Sequence, residues 1–280
     1  MSLSKIIALA LAALLLASPA RSQILLSPTR VVFDGPARAI QVDVVNTSGK
    51  AAIYRLSVVN RRMTEDGDLV AIDSPLPGER FVGDMVRFSP RQLTLEPGSS
   101  QVVRLSLRKP ADLPPGEYRS HLLFEQVEEG SEASSVEAAA SGPSGRDLQI
   151  RLTILVGAII PLIVREGPAT MSAQLRDVVL QPGQGAQPPV LSFGIRREGS
   201  RSAYGDVVVN WQAAGSSAPV EVARLSGLAV YVPNESRRVR LALQPPEGVT
   251  VGGKGRLRVT FQARPEDGGR AFAESELELK

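Results

Sequence analysis

Hydrophobic and polar side chains alternate along most of this chain, and the alternation limits its fold more than any other feature. In RAIQVDVVN, Ile40, Val42 and Val44 share one face of an extended segment, and Gln41 and Asp43 share the other. Successive side chains of a β-strand point to opposite sides, so the pattern is typical of half-buried strands. It recurs in SQVVRLSLR, YGDVVVNWQ, RRVRLALQ, GRLRVTFQAR and FAESELELK. No long segment has helical periodicity, so the sequence predicts an all-β fold.

Turn-forming residues separate these segments at short, regular spacing. NTSGK, EDGD, EPGSS, PPGE, QPGQG and PEDGG are rich in the residues that tight turns require. About seven candidate strands precede the REGPAT sequence and about seven follow it. Many short strands joined by such turns favour sandwiches of the immunoglobulin type. We predict two immunoglobulin-like β-sandwich domains, residues 23–165 and 166–280; the Gly167-Pro168 break and the chain length disfavour the alternative, a single large barrel.

The first residues, MSLSKIIALALAALLLASPARSQ, have the composition of a secretory signal peptide. Lys5 precedes a short apolar stretch, and small residues precede two candidate cleavage sites, after Ala20 and after Ser22. The apolar stretch is short for a membrane-spanning helix, although an uncleaved anchor is the alternative. We therefore predict a cleaved signal peptide over residues 1–22 and no membrane span in the mature chain.

The composition excludes several classes of function. The chain has no cysteine, so it forms neither disulfides nor thiolate metal sites, and its cores alone must hold it together. Its net charge is only +3, with both signs interspersed, which argues against a nucleic-acid-binding surface. A single histidine, His121, excludes two-histidine metal sites, and no Ser-His-Asp set can be assembled. We expect no enzymatic activity, no cofactor and no metal; His121 is interpreted as an ordinary strand residue and Trp211 as a core or sheet-face residue.

One segment breaks the alternation. EQVEEGSEASSVEAAASGPSGR, residues 125–146, has almost no large apolar residue and cannot bury enough surface to offset its ordering entropy. We predict a long mobile loop here. Such a loop inside a compact domain usually has a function, and a tolerated surface insertion is the alternative.

The loop is followed by DLQIRLTILVGAIIPLIVREG, the most apolar run outside the extreme N-terminus. Every even position from Leu148 to Val164 is apolar, whereas the odd positions are polar only in the first half. Arg151, Gly157 and Pro161 interrupt the run and argue against a membrane span. We predict one strand over residues 148–165, far longer than the usual five or six residues.

The first half of this strand carries a row of large aliphatic side chains beside the loop. The row consists of Leu148, Ile150, Leu152 and Ile154. Either these side chains cover their own sandwich, or the strand is lent to another protein and completes its sheet and open core. A bare apolar edge is an aggregation hazard that proteins normally suppress, which favours the second interpretation.

Several segments together resemble the periplasmic chaperones that assemble pili and fimbriae in chaperone–usher systems. SPTRVVFDGPARAIQVDVVNTSGKAAIYRL resembles the first two strands of that family, and FSPRQLTLEPGSSQVVRL resembles its P…L-x-P-G-x-x-Q-x-V-R segment. PPGEYRSHLLFE is similar to the strand before the long loop of divergent branches, and residues 148–165 are similar to the donor strand. The resemblance extends over nearly the whole expected mature chain and is most specific in the first domain. It implies two domains in a boomerang arrangement, a periplasmic location, and partners that are pilus or spore-coat-like subunits and an outer-membrane usher.

The resemblance also implies roles for particular residues. Arg30, by its place in SPTRVVF, corresponds to the arginine that binds the C-terminal carboxylate of the subunit. The donor-strand lysine of the family falls near Pro161, which carries no charge, so either Arg30 acts alone or Arg151 or another basic residue replaces the lysine. Glu96 and Arg165 correspond to an interdomain ion pair, and the aliphatic row corresponds to the donated side chains. The Pro-rich signature after the sixth strand is missing and FEQVEEG stands in its place.

The oligomeric state and an alternative function stay open at this point. A self-capping homodimer is compatible with the resemblance. The alternative function is a secreted immunoglobulin-like structural or adhesive module of a surface fibre. Such a module would carry an extended N-terminal segment, whereas here the chain enters its first strand almost at once.

Overall fold

The computed structural model describes residues 24–72, 74–127, 157–185 and 187–280. These residues form eighteen β-strands and two short 3-10 turns. The all-β class predicted from the alternation is confirmed. In this part of the chain no helix has the length and hydrophobicity needed to cross a membrane. The predicted signal peptide, residues 1–22, lies outside the described residues.

The strands divide into two groups along the chain. The first group is β1 (Ile24–Ser27), β2 (Val31–Phe33), β3 (Ala39–Asn46), β4 (Ala52–Val59), β5 (Arg61–Met63), β6 (Leu69–Ala71), β7 (Val86–Ser89), β8 (Gln92–Leu95), β9 (Ser100–Leu107), β10 (Gly116–Val127) and β11 (Ala158–Glu166). The second group is β12 (Ser172–Gln181), β13 (Val190–Glu198), β14 (Ala203–Ala213), β15 (Val220–Val230), β16 (Ser236–Ala242), β17 (Gly255–Gln262) and β18 (Ala271–Leu279).

The first group forms an immunoglobulin-like sandwich of two sheets. Their strand orders are β1-β3-β9-β7 and β2-β11-β10-β4-β8. The chain changes sheets between β1, which pairs antiparallel with β3, and β2, which pairs parallel with β11. The alternating residues predicted for β3 and β9 face the core, where Val44 and Leu105 pack with Tyr54 and Phe124 of the opposite sheet. The strands β5 and β6 form a separate small hairpin.

The second group forms another sandwich, with strand orders β12-β13-β16 and β15-β14-β17-β18. Trp211 is only 3% exposed and belongs to its core cluster, one of the two placements expected for it. Among the described residues, the second half contains the expected number of about seven strands, whereas the first contains eleven. The additional strands have three or four residues, which is too short for alternation to reveal them.

The segments around the predicted loop differ from expectation. The loop was expected to begin at residue 125, but β10 continues to Val127. Its last residues still pair with β4, Val127 lying opposite Ile53, so the sheet holds them in place. Residues 128–146 lie outside the described residues.

The predicted strand 148–165 is described only in its second half. β11 runs from Ala158 to Glu166, and its even-numbered side chains Ile160, Leu162 and Val164 are buried in the first core. On the opposite face Ile163 is fully buried in the core cluster of the second sandwich. β11 is therefore sealed on both faces, which explains its apolar sequence. The residues that precede it and lie outside the described residues include the candidates Leu148, Ile150, Arg151, Leu152 and Ile154.

Candidate functional site

The face of the β2-β11-β10 sheet that contains Ile163 faces the second sandwich and carries an unusual number of polar side chains. Val31 lies opposite Leu162 in the parallel β2–β11 pair, which places Arg30 beside Pro161. In the antiparallel β11–β10 pair Pro161 lies opposite His121. The register thus aligns an arginine, a proline and a histidine in one row across three neighbouring segments.

Arg30 is the most informative residue of this row. Its guanidinium carbon lies 4.1 Å from the ring centroid of Tyr204, a residue of the second sandwich. Its Nε and Nη2 atoms are buried and have no hydrogen-bond partner among the described residues. Burial lowers the pKa of Arg30, the neighbouring charge of Arg165 acts in the same direction, and Tyr231 opposes both. A buried cation without a carboxylate partner is costly, so the position favours an anion that comes from elsewhere.

An open cavity of about 340 Å³ exposes this arginine between the two sandwiches. Its walls come from both halves of the chain and include Arg30, Pro161, Tyr204, Ser226, Gly227 and Arg264. No aspartate or glutamate is among the described residues that line it, whereas two arginines are. Two arginine side chains in its walls suit the cavity to a small anionic group such as a carboxylate.

The edge of β11 beside this cavity is open in part. β2 pairs with Leu162, Ile163 and Val164 only. Among the described residues no strand pairs with the same edge over Ala158–Pro161. An extended segment could therefore continue the sheet next to Arg30.

Arg119 and His121 form a second polar pair on the same face. Arg119 is 4% exposed, its guanidinium carbon lies 4.4 Å from the Tyr231 ring centroid, and its Nη1 donates to the Arg61 carbonyl over 3.1 Å. His121 is fully buried, with Nε2 3.4 Å from Nη1 of Arg119. Burial, Arg119 and Arg61 lower the pKa of His121 to about 3, so its ring is neutral at physiological pH. His121 is thus a buried strand residue, as interpreted from the sequence.

A third polar cluster connects the two sandwiches. Glu117 is buried and accepts a hydrogen bond from Arg165 Nε over 3.0 Å and another from the hydroxyl of Ser202, which immediately precedes β14 of the second sandwich. Arg165 also pairs with Asp34 over 2.8 Å. The hydrogen bond from Arg165 lowers the pKa of Asp34. Arg165 is therefore at the junction, and its carboxylate partners are Glu117 and Asp34.

The expected pairing of Arg165 with Glu96 is wrong. Arg165 lies opposite Glu117, near the start of β10. Glu96 follows β8, whose last residue Leu95 lies opposite Ala52, the first residue of β4. The start of β4 pairs with the last residues of β10. The two side chains are therefore at opposite ends of the same sheet. A sequence motif cannot show this, because the register of four strands decides it.

The structure brings together one predicted site residue and several that sequence reasoning missed. Arg30 lies in the cavity, whereas the aliphatic row and Arg151 lie outside the described residues. Tyr204, Tyr231 and Arg264 were not anticipated, since they belong to strands or turns of the second half and carry no local motif. Among the residues that the structure describes, no group of three His, Asp or Glu side chains is placed to hold a metal ion.

Comparison with solved structures gives likenesses of fold. The chaperone of the chaperone–tip subunit pre-assembly complex of archaic chaperone-usher Csu pili from Acinetobacter baumannii matches with 12% identity and a TM-score of 0.44, over 92% of this chain and 98% of that chain. The Escherichia coli chaperone DraB matches with 16% identity and a TM-score of 0.40, over 92% and 96%. The periplasmic chaperone SfaE matches with 11% identity and a TM-score of 0.39, over 91% and 98%. No family model and no curated protein sequence matches the chain. Over about nine-tenths of its length, this chain is similar in fold to solved chaperones, one of which comes from a chaperone-usher pilus system.

Proposed function

We propose that this protein is a periplasmic chaperone that binds pilus, fimbrial or spore-coat-like subunits by donor-strand complementation and passes them to an outer-membrane usher. The observation that carries the proposal is the unpartnered guanidinium of Arg30 in an open cavity, beside the free part of the β11 edge. The solved pilus chaperones that the chain is similar to support the same class of function, and none of the proposed roles requires catalysis.

Arg30 serves as the anchor for the C-terminal carboxylate of a bound subunit. Arg30 lines the cavity, and its planar guanidinium has the fork of N–H donors that pairs with a carboxylate. Tyr204 stacks on Arg30 and Tyr231 lines the same cavity, so their rings lower the local polarity around the pair and strengthen it. A fixed terminus sets the register of the strand that follows, and register decides which side chains of that strand face the core.

Strand addition supplies the second part of the binding. A subunit strand pairs with the β11 edge by main-chain hydrogen bonds, next to the covered stretch Leu162–Val164. The aliphatic row Leu148, Ile150, Leu152 and Ile154 fills the open core of the subunit in the same complex. The partners are therefore protein subunits and an usher, and the location is the periplasm.

Replacement of Arg30 tests the anchor. We expect Arg30→Ala to reduce co-purification of a subunit from periplasmic extracts by tenfold or more, about the value of a lost charge-assisted contact. Arg104→Ala on β9, an exposed arginine, is the matched control and should retain the partner. Bound proteins are identified by mass spectrometry, and thermal unfolding monitors the fold of each variant.

Two results would contradict this assignment. Unchanged subunit recovery by a folded Arg30→Ala variant would remove the anchor. Recovery of the wild-type protein as a permanent part of a surface fibre, with no exchange of bound subunits, would favour a structural or adhesive module instead.

A further inference from the structure

We propose that Arg264, in the second sandwich, supplies the second cationic contact to the bound carboxylate, at the site where Pro161 leaves the donor strand without a charge. This inference rests on the proposed function, because it concerns the ligand that Arg30 anchors. It assigns part of the anchor to the half of the molecule in which the sequence identified no binding residue.

Tyr204 connects the two arginines. Arg30 stacks on its ring at 4.1 Å, and Arg264 Nη1 donates a hydrogen bond to its hydroxyl over 3.3 Å. Both guanidinium groups line the same cavity, together with Pro161. A carboxylate has two oxygens and about four acceptor positions, so it can accept from two arginines at once. Tyr204 thus contacts both arginines, Arg30 through its ring and Arg264 through its hydroxyl.

The backbone around Arg264 is fixed. Arg264 follows β17, and its carbonyl accepts hydrogen bonds from the amides of Asp267 and Gly269 over 2.9 and 3.0 Å. The side chain is 31% exposed, so it reaches solvent and a ligand, which the more buried junction arginine Arg165 does not. A position that is held at the backbone but open at the guanidinium is suited to binding.

Two carboxylates lie close to Arg264 but do not engage all of its N–H donors. Its Nε lies 3.1 Å from Glu266 and 3.7 Å from Asp206. Hydrogen bonding to Tyr204, together with these acids, raises the pKa of Arg264, so the group is charged at every physiological pH. A guanidinium carries five N–H donors, more than these contacts engage, and the remaining donors are free for a ligand.

The cavity walls leave room for the ligand on this side. Gly227 has φ +70°, and a side chain there would approach the Tyr204 hydroxyl to 3.2 Å. Its amide donates to Asp206 over 2.9 Å, which holds the same acid that faces Arg264. Two small residues, Ser226 and Gly227, are thus part of the wall of the cavity.

A carboxylate-selectivity assay tests this inference directly. The probe is a short acetylated peptide of alternating valine and threonine, prepared with a free C-terminal carboxylate and as the C-terminal amide. The ratio of the two affinities, measured by calorimetry on the full mature chain, reports the anchor alone because strand pairing is common to both peptides. Each charge-assisted contact is worth about tenfold or more in affinity.

We expect Arg264→Gln to reduce the carboxylate-to-amide ratio by about tenfold and Arg264→Lys to restore part of it. Glutamine keeps a donor for Tyr204, so the Gln variant removes the charge with little change in packing. Arg258→Gln, an exposed arginine of β17 that pairs with Glu276, is the matched control and should leave the ratio unchanged.

The outcomes separate the two proposals. If Arg30→Ala removes the selectivity while Arg264→Gln preserves it, the anchor stands and the role of Arg264 is overturned. If the wild-type protein does not distinguish carboxylate from amide, or binds neither peptide, the proposed function itself fails at this site. Loss of selectivity in both variants, with binding of the amide unchanged, supports both proposals.

Discussion

Two arginines of the first sandwich, the half-buried Arg30 and the buried Arg119, stack on tyrosines of the second, but their surroundings differ. Arg119 lies over Tyr231 at 4.4 Å and donates to the Arg61 carbonyl, so part of its hydrogen-bonding capacity is used inside the protein. Arg30 lies over Tyr204 at 4.1 Å, while its Nε and Nη2 have no partner in the part of the chain that the structure describes. A cation–π contact contributes about 0.5–2 kcal/mol, less than a buried cation needs. This difference supports the binding role proposed for Arg30, whereas the contacts of Arg119 connect the two sandwiches.

A carboxylate elsewhere in the first sandwich makes stability depend on pH. Glu79 accepts hydrogen bonds from Arg62 at 2.6 and 2.9 Å, and the hydrogen bond from Arg62 lowers the pKa of Glu79 below its ordinary value of 4.5. A lowered folded-state pKa stabilises the protein above the unfolded pKa, and this contribution is lost as pH falls through the folded value.

Between about pH 5 and pH 3 we expect the free energy of unfolding of Glu79→Gln to fall less steeply than that of the wild type, because glutamine does not titrate. Urea unfolding at several pH values measures this dependence. Glu274→Gln, an exposed change on β18, is the control and should retain the wild-type slope. An equally steep slope in the Glu79 variant would show that its pairing with Arg62 does not contribute.

At the scale of the element, β11 is unusual because both of its faces are buried by different sandwiches. Ile160 and Leu162 pack in the first core, and Ile163 packs in the second. The strand thereby fixes the position of its own open edge relative to the cavity. Alternation predicted the half-buried strands such as β3 and β9, but it could not distinguish core from donated side chains in a run that is apolar throughout.

The row that precedes β11 is tested by substitutions that differ only in face. We expect Ile150→Asp to reduce subunit recovery strongly, because a charge would enter the apolar core of the partner. Thr153→Asp, on the opposite face of the strand predicted from the sequence, is expected to leave recovery nearly unchanged. Co-purification from the periplasm measures both. Equal effects of the two substitutions would contradict an alternating, donated strand.

At the scale of the whole molecule, the buried carboxylate of Glu117 joins the sandwiches. It accepts from Arg165 in its own sandwich and from the Ser202 hydroxyl in the other. The β5–β6 hairpin adds a second connection, since the carbonyl of Met63 accepts from Asn234 over 2.8 Å. The two halves are therefore coupled by buried polar contacts and by the apolar packing of Met63 and Ile163 in the second core.

We expect Glu117→Ala to destabilise the protein by about 3–5 kcal/mol, since it leaves the buried Arg165 short of a partner. Trp211 is the only tryptophan and lies in the second core, so its fluorescence reports that half, and circular dichroism reports both. In the variant we expect the two urea transitions to separate, because the polar link is lost.

The control for Glu117 is Glu221→Ala, which breaks a surface pair with Arg224 whose side chains are 43% and 42% exposed. Such a pair contributes about 0–1 kcal/mol, so the transitions should stay together. Coincident transitions and unchanged stability in Glu117→Ala would mean that the carboxylate does not couple the halves.

The sequence allowed the fold class to be predicted and indicated Arg30 as a site candidate, but it did not reveal the composition of the cavity. Strand alternation is local, and Arg30 was identified by its place in SPTRVVF. Tyr204, Tyr231 and Arg264 come close to Arg30 only through the packing of two sandwiches, which no local pattern encodes. The error over Glu96 has the same origin, because an ion pair between distant strands depends on their register.

Pro161 has a consequence for how the open edge of β11 can be used. It lies opposite His121 within the sheet and has no amide hydrogen to give to a neighbour on either side. A strand that pairs with this edge meets, at Pro161, a residue that can accept a main-chain hydrogen bond but cannot donate one. A partner that binds only through main-chain pairing therefore gains less there than at an edge with all of its amide hydrogens. Two copies of this protein paired through their β11 edges would each lack that hydrogen bond. A bound chain whose C-terminal carboxylate pairs with Arg30 would gain an ionic contact that compensates for the missing bond.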